Sequence, residues 1–169
     1  MKTLYLDLGM GAAGDMLTAA LFELMPARAR ALEQLNGLGL PGVVFRPEDS
    51  TKCGIRGTHM RVLVHGEEEG VTPHHDHCEQ HTHHHSSMAD IQSLVDGLHV
   101  SQIVKGNVMA VYEKIAQAES HVHGVPVTEI HFHEVGALDA LADITAVCFL
   151  LEQLSPEKIV ASPDRKSVV

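Results

Sequence analysis

The sequence is poor in aromatic residues, in cysteine and in long apolar runs. Aromatic residues make up 4% of its 169 residues, and Trp is absent. Its three cysteines, Cys53, Cys78 and Cys148, are widely spaced and odd in number, so they imply no disulfide framework. No apolar run is long enough to span a membrane, and the opening run from Thr3 to Leu8 is too short for a signal peptide and is interrupted by Asp7. We therefore expect a cytoplasmic protein that does not associate with membranes.

Basic residues are also scarce, which bears on the choice of partner. The chain has 12 Lys and Arg against 22 Asp and Glu, a formal charge of −10, and this balance argues against nucleic-acid binding. Its hydrophobic content of 44% is sufficient for one domain with a core. Histidine, by contrast, is abundant, with 14 residues. Imidazoles make the charge depend on pH between about 5 and 8 and indicate a transition metal as the first partner to consider.

Hydrophobic periodicity and turn residues predict an α/β or α+β fold, with a small mixed sheet packed with helices. Ser87 and Asp90 form a predicted capping box, and Gly124 is a predicted helix end. A single domain is expected over residues 1–163, with 66–87 as a His-rich mobile loop and 164–169 as a divergent tail. The pattern predicts strands at 3–8, 43–45, 58–64 and 158–161, the second and third forming a hairpin, and helices at about 15–24, 27–35, 88–98, 101–123 and 136–154.

The segment from Ile130 to Ile144 carries the strongest chemical signal. If its first residues are extended, His131 and His133 point to the same side. If a helix follows, Asp139 and Asp143 stack one turn apart on an otherwise apolar helix. Buried carboxylates are costly unless they meet a cation, a metal or hydrogen-bond donors, so we interpret this segment as a site. The alternative is that Asp139 caps the helix and Asp143 faces water.

Two groups of histidines are candidate metal ligands. Neutral imidazole binds nickel, copper and zinc, and a flexible His tract suits capture and transfer of an ion better than a rigid structural site. The dense tract in the predicted loop contains His74, His75, His77, Cys78, His81, His83, His84 and His85. The second group is His121 and His123, which we expect to form a four-imidazole cluster with His131 and His133. Glu119 is four residues before His123 and could share its ligand, although the helix dipole alone also favours a terminal His.

The segment Gly9–Gly14 formally matches GxGxxG between a strand and a helix. A dinucleotide fold also needs a second parallel strand soon afterwards, whereas a second helix is predicted here, and Asp15 would repel a pyrophosphate. The better functional interpretation is a tight turn that accepts a single phosphate through Gly11, Gly14 and the residues around them. The other interpretation is a turn that only connects a strand to a helix. Asp7 is either a ligand at the sheet edge or a cap for this turn.

Several motifs together resemble the LarC family of nickel insertion proteins, in order from Tyr5 to Pro163. The most specific is the His-Phe-His-Glu-Val-Gly-Ala block with its two aspartates. The motifs are Tyr5-Leu6-Asp7, Gly11-x-x-Gly14-Asp15-Met16, Gly54-Ile55-Arg56-Gly57, the His-rich loop, Ala116-x-Ala118-Glu119-x-x-Val122-His123-Gly124 and His131-Phe132-His133-Glu134-Val135-Gly136-Ala137-x-Asp139-x-x-x-Asp143-Ile144.

The resemblance implies a cyclometallase of the lyase class, which inserts Ni²⁺ into pyridinium-3,5-bisthiocarboxylic acid mononucleotide. The product is the nickel-pincer cofactor of lactate racemase, and the reaction depends on CTP with Mn²⁺ or Mg²⁺. It implies metal handling by the loop histidines and by His131, His133, Glu134, Asp139 and Asp143. We further expect the three carboxylates to accept the C4 proton that nickel displaces. We assign Asp7, Gly11, Gly14 and Asp15 to the substrate phosphate.

The sequence departs from this family after Pro163. Members continue into a second region that holds the CTP site, and some are encoded in two overlapping frames. We expect this chain to be the first-frame product, with the C-terminal half as its partner and a homo-oligomer as the full-length state. A non-enzymatic nickel store or metallochaperone is the competing interpretation.

Overall fold

The computed structural model describes residues 1–9, 11–68, 86–132 and 137–163. A 3-10 turn covers Val127–Glu129. The helices are α1 (Gly14–Glu23), α2 (Arg28–Asn36), α3 (Met88–Asp96), α4 (Gln102–His123) and α5 (Leu138–Leu154). The strands are β1 (Thr3–Leu6), β2 (Val43–Lys52), β3 (Ile55–Val64), β4 (Glu67–Glu68), β5 (Ser86–Ser87), β6 (His131–Phe132) and β7 (Lys158–Ala161). The predicted α/β class is confirmed. In the described ranges, no helix is both long and apolar enough to cross a membrane.

The described strands form three small sheets, of which only one is parallel. β1 pairs with β7 in parallel, with Thr3 opposite Lys158 and Leu6 opposite Ala161. β2, β3 and β4 form an antiparallel sheet, and β5 pairs with β6. The interpretation of the first strand as buried is wrong, because Tyr5 is 60% exposed. β1 has only β7 beside it among the described strands, so its outer face is not covered.

The β2–β3 hairpin is longer than its hydrophobic pattern predicts. Cys53 and Gly54 connect the strands, and both have positive φ angles, of 52° and 78°. Two such residues form a type I′ turn, whose twist matches that of the strands on either side. The polar segment predicted to link two short strands is therefore itself strand, and Lys52 lies opposite Ile55 at its end.

Helix ends follow the local signals closely. Ser87 and Asp90 form the predicted capping box at the start of α3, and Gly124 adopts a left-handed conformation, φ 67°, after α4. The core lies where α5 packs against α1 and α4. Leu141, Leu150, Val104, Val108 and Tyr112 are all fully buried there, together with residues of the hairpin such as Phe45 and Met60.

Candidate functional site

The start of α1 lies directly against α5. A Cβ added at Gly14 would be 2.4 Å from the Cβ and 2.5 Å from Oδ2 of Asp143, so only glycine permits this approach. The backbone N–H of Asp15 donates a hydrogen bond to the Asp143 carboxylate. A carboxylate is favoured there because the first N–H groups of a helix have no partner within the helix and carry its positive dipole end.

Asp139 and Asp143 are turned into the protein rather than towards bulk solvent. Both are partly buried, and one oxygen of each is fully buried with no hydrogen-bond partner among the described residues. Ala137 is the N-cap of α5, and no side chain caps it. The alternative in which Asp139 caps the helix and Asp143 faces water is therefore wrong.

The environment of Asp143 keeps its carboxyl group protonated at pH values well above those at which an aspartate usually ionises. Burial is the main cause, repulsion from Asp15 and then Asp139 adds to it, and together they raise the pKa of Asp143 from 3.8 to about 7. Like charges held close together in a medium of low dielectric disfavour simultaneous ionisation. The arrangement can therefore accept or release a proton near neutral pH.

Tyr112 of α4 lies near Asp139 of α5. Its ring is fully buried and meets Phe132 edge to face, with 5.6 Å between centroids. Burial and the negative charge of Asp139 raise the pKa of Tyr112, so the phenol stays neutral at any physiological pH. Sequence reasoning treated Tyr112 as part of the apolar stripe of α4 and missed its proximity to Asp139, which no local pattern signals.

Two buried threonines and one histidine were also missed. Thr18 and Thr145 are fully buried, and their hydroxyls have no partner among the described residues. Thr18 follows Gly14 by one helical turn, which was an available signal. His59 of β3 places Nε2 3.8 Å from Oδ2 of Asp15. Its place on the polar face of the hairpin was predicted, but its contact with α1 was not.

The glycine turn before α1 is stabilised from within the turn. The N–H of Gly9 donates to Oδ1 of Asp7 at 3.0 Å, so Asp7 acts as a cap for the turn. The N–H of Gly11, at φ 95°, donates to the carbonyl of Leu8. The next elements along the chain are α1, α2 and an antiparallel hairpin rather than a second parallel strand, which is unlike a dinucleotide fold.

The described histidines do not by themselves form a metal centre. His123 Nε2 lies 3.0 Å from Oε2 of Glu119 at the exposed end of α4. The pKa of Asp90 is lowered mainly by hydrogen bonds from Ser87, with a smaller effect of the charge on His131. In the described ranges, no three His, Cys, Asp or Glu side chains could hold a metal ion together. The remaining predicted site residues, His74, His75, His77, Cys78, His81, His83, His84, His85, His133 and Glu134, lie outside the described residues.

The cysteines in the described ranges differ in their surroundings. Cys148 is buried on α5, and this burial raises the pKa of its thiol to about 11, so the group remains protonated and serves packing, as predicted. Cys53 is an exposed thiol at the hairpin turn.

Residues 4–167 match the model of the family described as "Nickel insertion protein". Among curated proteins, the chain is 39% identical over 173 residues to the pyridinium-3,5-bisthiocarboxylic acid mononucleotide nickel insertion protein of Lactiplantibacillus plantarum, covering 96% of this chain and 40% of the relative. Proteins of the same name from Akkermansia muciniphila and Acetivibrio thermocellus are 37% and 35% identical over 166 and 163 residues, each match covering 96% of this chain and 39% of the relative. The chain thus spans about 40% of the length of these relatives. No solved structure matches it significantly.

Proposed function

Because the chain belongs to the nickel insertion protein family, we propose that it takes part in inserting Ni²⁺ into pyridinium-3,5-bisthiocarboxylic acid mononucleotide. The product would be the nickel-pincer cofactor of lactate racemase, and the activity is that of a nickel chelatase of the lyase class. The observation that carries the proposal is the partly buried Asp143 carboxyl group, facing Asp15 and Asp139 in a chain with this family membership.

Insertion replaces the hydrogen at C4 of the pyridinium ring by nickel. A nickel–carbon bond forms, the C–H bond breaks, its electron pair stays with carbon, and the proton needs a base. A base is most effective when its pKa lies near the working pH, as that of Asp143 does at about 7. Asp139 and Asp15 support this role because their negative charges raise the proton affinity of Asp143. Glu134 is the third proposed catalytic carboxylate.

Nickel is the second substrate of the proposed reaction and is delivered by histidines. Seven His and Cys78 occur within residues 74–85, a donor set suited to Ni²⁺. We propose that this tract collects the ion and that His121, His123, His131 and His133 present it to the mononucleotide.

A second region of the kind that makes the relatives longer is proposed to complete the activity. CTP with Mn²⁺ or Mg²⁺ is assigned to that region, as the family resemblance implies, and the glycine turn before α1 does not fit a triphosphate. The N–H groups of Asp15 and Met16 at the start of α1 are already bound by the carboxylates of Asp143 and Asp15. The complete protein is proposed to be a cytoplasmic homo-oligomer.

A direct test fuses this chain to the part of the Lactiplantibacillus plantarum relative that it does not cover. The fusion should convert the mononucleotide to its nickel adduct with CTP and Mn²⁺, as followed by mass spectrometry. Alanine at Asp139 or Asp143 should remove most of this activity, and unchanged rates in both variants would reject the carboxylate mechanism.

A nickel store is the second candidate function, favoured by the density of histidine in residues 74–85. Replacing the seven histidines of this tract with serine in the fusion keeps the loop length and discriminates the two. We expect fewer bound nickel ions and slower insertion at limiting Ni²⁺, but most of the activity at excess Ni²⁺, because an inserting enzyme needs the tract only for capture. A wild-type fusion that binds nickel through this tract but inserts none at any nickel concentration would instead favour the store.

A further inference from the structure

The parallel pair of β1 and β7 is small and open. In the described part of the chain, each of these strands has the other as its only neighbour. Parallel sheets are almost always covered on both faces, and two strands alone are marginally stable in water. Here Tyr5 of β1 is 60% exposed and Ile159 of β7 is 49% exposed. Such a pair gains stability from a further strand.

The outer edge of β1 presents the backbone groups of Thr3 and Tyr5. The carbonyls of Lys2 and Leu6 accept hydrogen bonds from N–H groups at the start of β7 and just after its end. The backbone groups of the even-numbered residues of β1 therefore face β7. In a regular strand the groups of the intervening residues point to the opposite edge. The N–H and C=O of Thr3 and Tyr5 are thus directed away from β7 and towards a possible new neighbour.

The edge strand β2 shows how this protein protects an edge that stays open. At Phe45, the side chain of Asn36 in α2 accepts from the backbone N–H at 2.8 Å and donates to the backbone C=O at 3.2 Å. β2 also contains Arg46 and Pro47, and charged residues and proline both discourage the addition of a strand.

The strand β1 lacks these protective features. Its sequence, Thr-Leu-Tyr-Leu, has neither a charged residue nor a proline, whereas β7 begins with Lys158. Lysine on an edge strand opposes pairing with another chain. Of the two outer edges of this sheet, that of β1 is therefore the one suited to accept a further strand.

The size of the surface decides which partner it suits. Two strands of four residues, at about 3.3 Å per residue and about 5 Å per strand, present a face of about 13 by 10 Å. A stable interface between separate chains, including two copies of this one, buries about 800 Å² on each partner. A region of the same polypeptide needs far less, because the linker holds it at a local concentration of about millimolar. The relatives have room for such a region, since the chain spans 40% of the length of the Lactiplantibacillus plantarum protein.

We propose that the outer edge of β1 is an interaction surface, where a β-strand of the second region pairs with Thr3–Leu6 and places an apolar side chain against Tyr5. The inference rests on the proposed function for the existence of that region. Main-chain hydrogen bonds supply the affinity of such strand addition, and the side-chain contact supplies its specificity. The edge is already ordered, because Oγ of Ser162 accepts from the N–H of Leu8 at 2.8 Å and holds β1 against β7 beyond their last paired residues.

A strand added to β1 has a consequence for the carboxylate site. β1 leads through the glycine turn into α1, where Asp143 lies against Gly14. The added strand would thus hold the second region, to which CTP is assigned, close to the start of α1. The surface would in this way align the two regions for one reaction.

The test compares hydrogen–deuterium exchange in the chain alone with exchange in the fusion to the uncovered part of the Lactiplantibacillus plantarum relative. Electron-transfer fragmentation and mass spectrometry resolve individual amides. We expect the amides of Thr3 and Tyr5 to exchange at least tenfold more slowly in the fusion, because they gain hydrogen-bond acceptors. The amide of Thr51 is the control, since its regular register places it on the outer edge of β2, on the same side as that of Phe45. Its rate should agree within about twofold in the two proteins.

A charge at the centre of the surface should prevent pairing. In the fusion, Tyr5→Lys should return the Thr3 amide to within about twofold of its rate in the chain alone. Ile103→Lys is the matched control, because Ile103 is an apolar residue of α4 that is 68% exposed, and it should leave the Thr3 amide protected. Because Tyr5 is mostly exposed, Tyr5→Lys should leave the circular dichroism of the chain alone unchanged, which separates loss of pairing from loss of folding.

Equal exchange of the Thr3 and Tyr5 amides in the chain and the fusion would overturn the inference, whether both rates are fast or both are slow. Protection in the chain alone that grows with its concentration would assign the edge to a second copy and would overturn it too. Nickel insertion by the same fusion separates the two proposals. Insertion without protection rejects only the interaction surface, and protection without insertion rejects only the proposed function.

Discussion

Replacement of Asp143 by Asn should slow nickel insertion about 100-fold or more and, at the same time, make the folded protein more stable above neutral pH. Asparagine has nearly the same shape but cannot accept the C4 proton, and loss of a general base typically costs 10²–10⁴-fold in rate. Insertion is measured with the fusion protein at saturating Ni²⁺ and mononucleotide. A rate within threefold of the wild type would remove Asp143 from the proposed mechanism.

The stability effect follows from the direction of the pKa shift. The Asp143 pKa is raised from 3.8 to about 7 in the folded state. Between these values the folded protein holds a proton that the unfolded chain has released, so the free energy of unfolding falls as the pH rises from about 4 to about 7. The full penalty is present above pH 7. Asparagine never ionises, so we expect Asp143→Asn to gain about 2 kcal/mol at pH 8 and much less at pH 4.5. This gain is about half of what the full pKa shift corresponds to, because solvent screens a carboxyl group that is only partly buried.

Urea denaturation at pH 4.5 and pH 8 measures this difference. Asp96→Asn is the matched control, because Asp96 is an exposed aspartate at the end of α3 that accepts a hydrogen bond from Gln92. Its effect on the free energy of unfolding should be similar at both pH values, and nickel insertion should not change. An equal change in the free energy of unfolding at both pH values for Asp143→Asn would contradict the raised pKa of Asp143 in the folded protein.

Gly14→Ala should lower the free energy of unfolding by about 3 kcal/mol. We expect this to be the largest effect of adding one methyl group at the contact between α1 and α5. The new methyl would lie 2.4 Å from the Asp143 Cβ, which belongs to the neighbouring helix and cannot rotate away. The helices must separate, and overpacking of this kind typically costs 1–3 kcal/mol or more. The gain of about 1 kcal/mol in helix propensity from Gly to Ala offsets only part of this. For a chain of this size, we expect the melting temperature to fall by about 6–12 °C.

The control for Gly14 is Gly106 in the middle of α4, where a Cβ would have no neighbour within 4 Å. Gly106→Ala should raise the free energy of unfolding by about 0.5–1 kcal/mol, because alanine loses less conformational entropy in a helix. Thermal unfolding followed by circular dichroism compares the two variants. Similar effects of the two substitutions would show that the close approach of α1 to α5 does not exist in solution.

Local chemistry made the helices and their ends predictable. Ser87 with Asp90 and the left-handed Gly124 act within one turn of the chain, so their effect does not depend on distant residues. The spacing of Asp139 and Asp143 is likewise a property of helical periodicity, and the negative charge of Asp139 contributes to the raised pKa of Asp143. The expectation that they are shielded from water came from the apolar character of the rest of α5.

Contacts between distant parts of the chain were not predictable. β1 and β7 pair across roughly the whole sequence, and nothing within Thr3–Leu6 indicates this partner or its parallel direction. The extension of the hairpin was missed because Cys53 at positive φ is an unusual turn residue. Nor does a sequence pattern show that the N–H groups of Asp15 and Met16 at the start of α1 are already bound by carboxylates.

The sequence by itself determined which candidate groups are available for chemistry, since an imidazole or a carboxylate has its donor atoms wherever it lies. Helical spacing also sets which of these groups are neighbours on one element. Only the tertiary structure decided what those groups face. Gly14 has no side chain, so Asp143 can lie against the start of α1. Asp15 lies near His59, and Lys52 lines a groove between α1 and the hairpin. These relationships arise from packing between elements, where desolvation and through-space charge act over distances that sequence separation does not record.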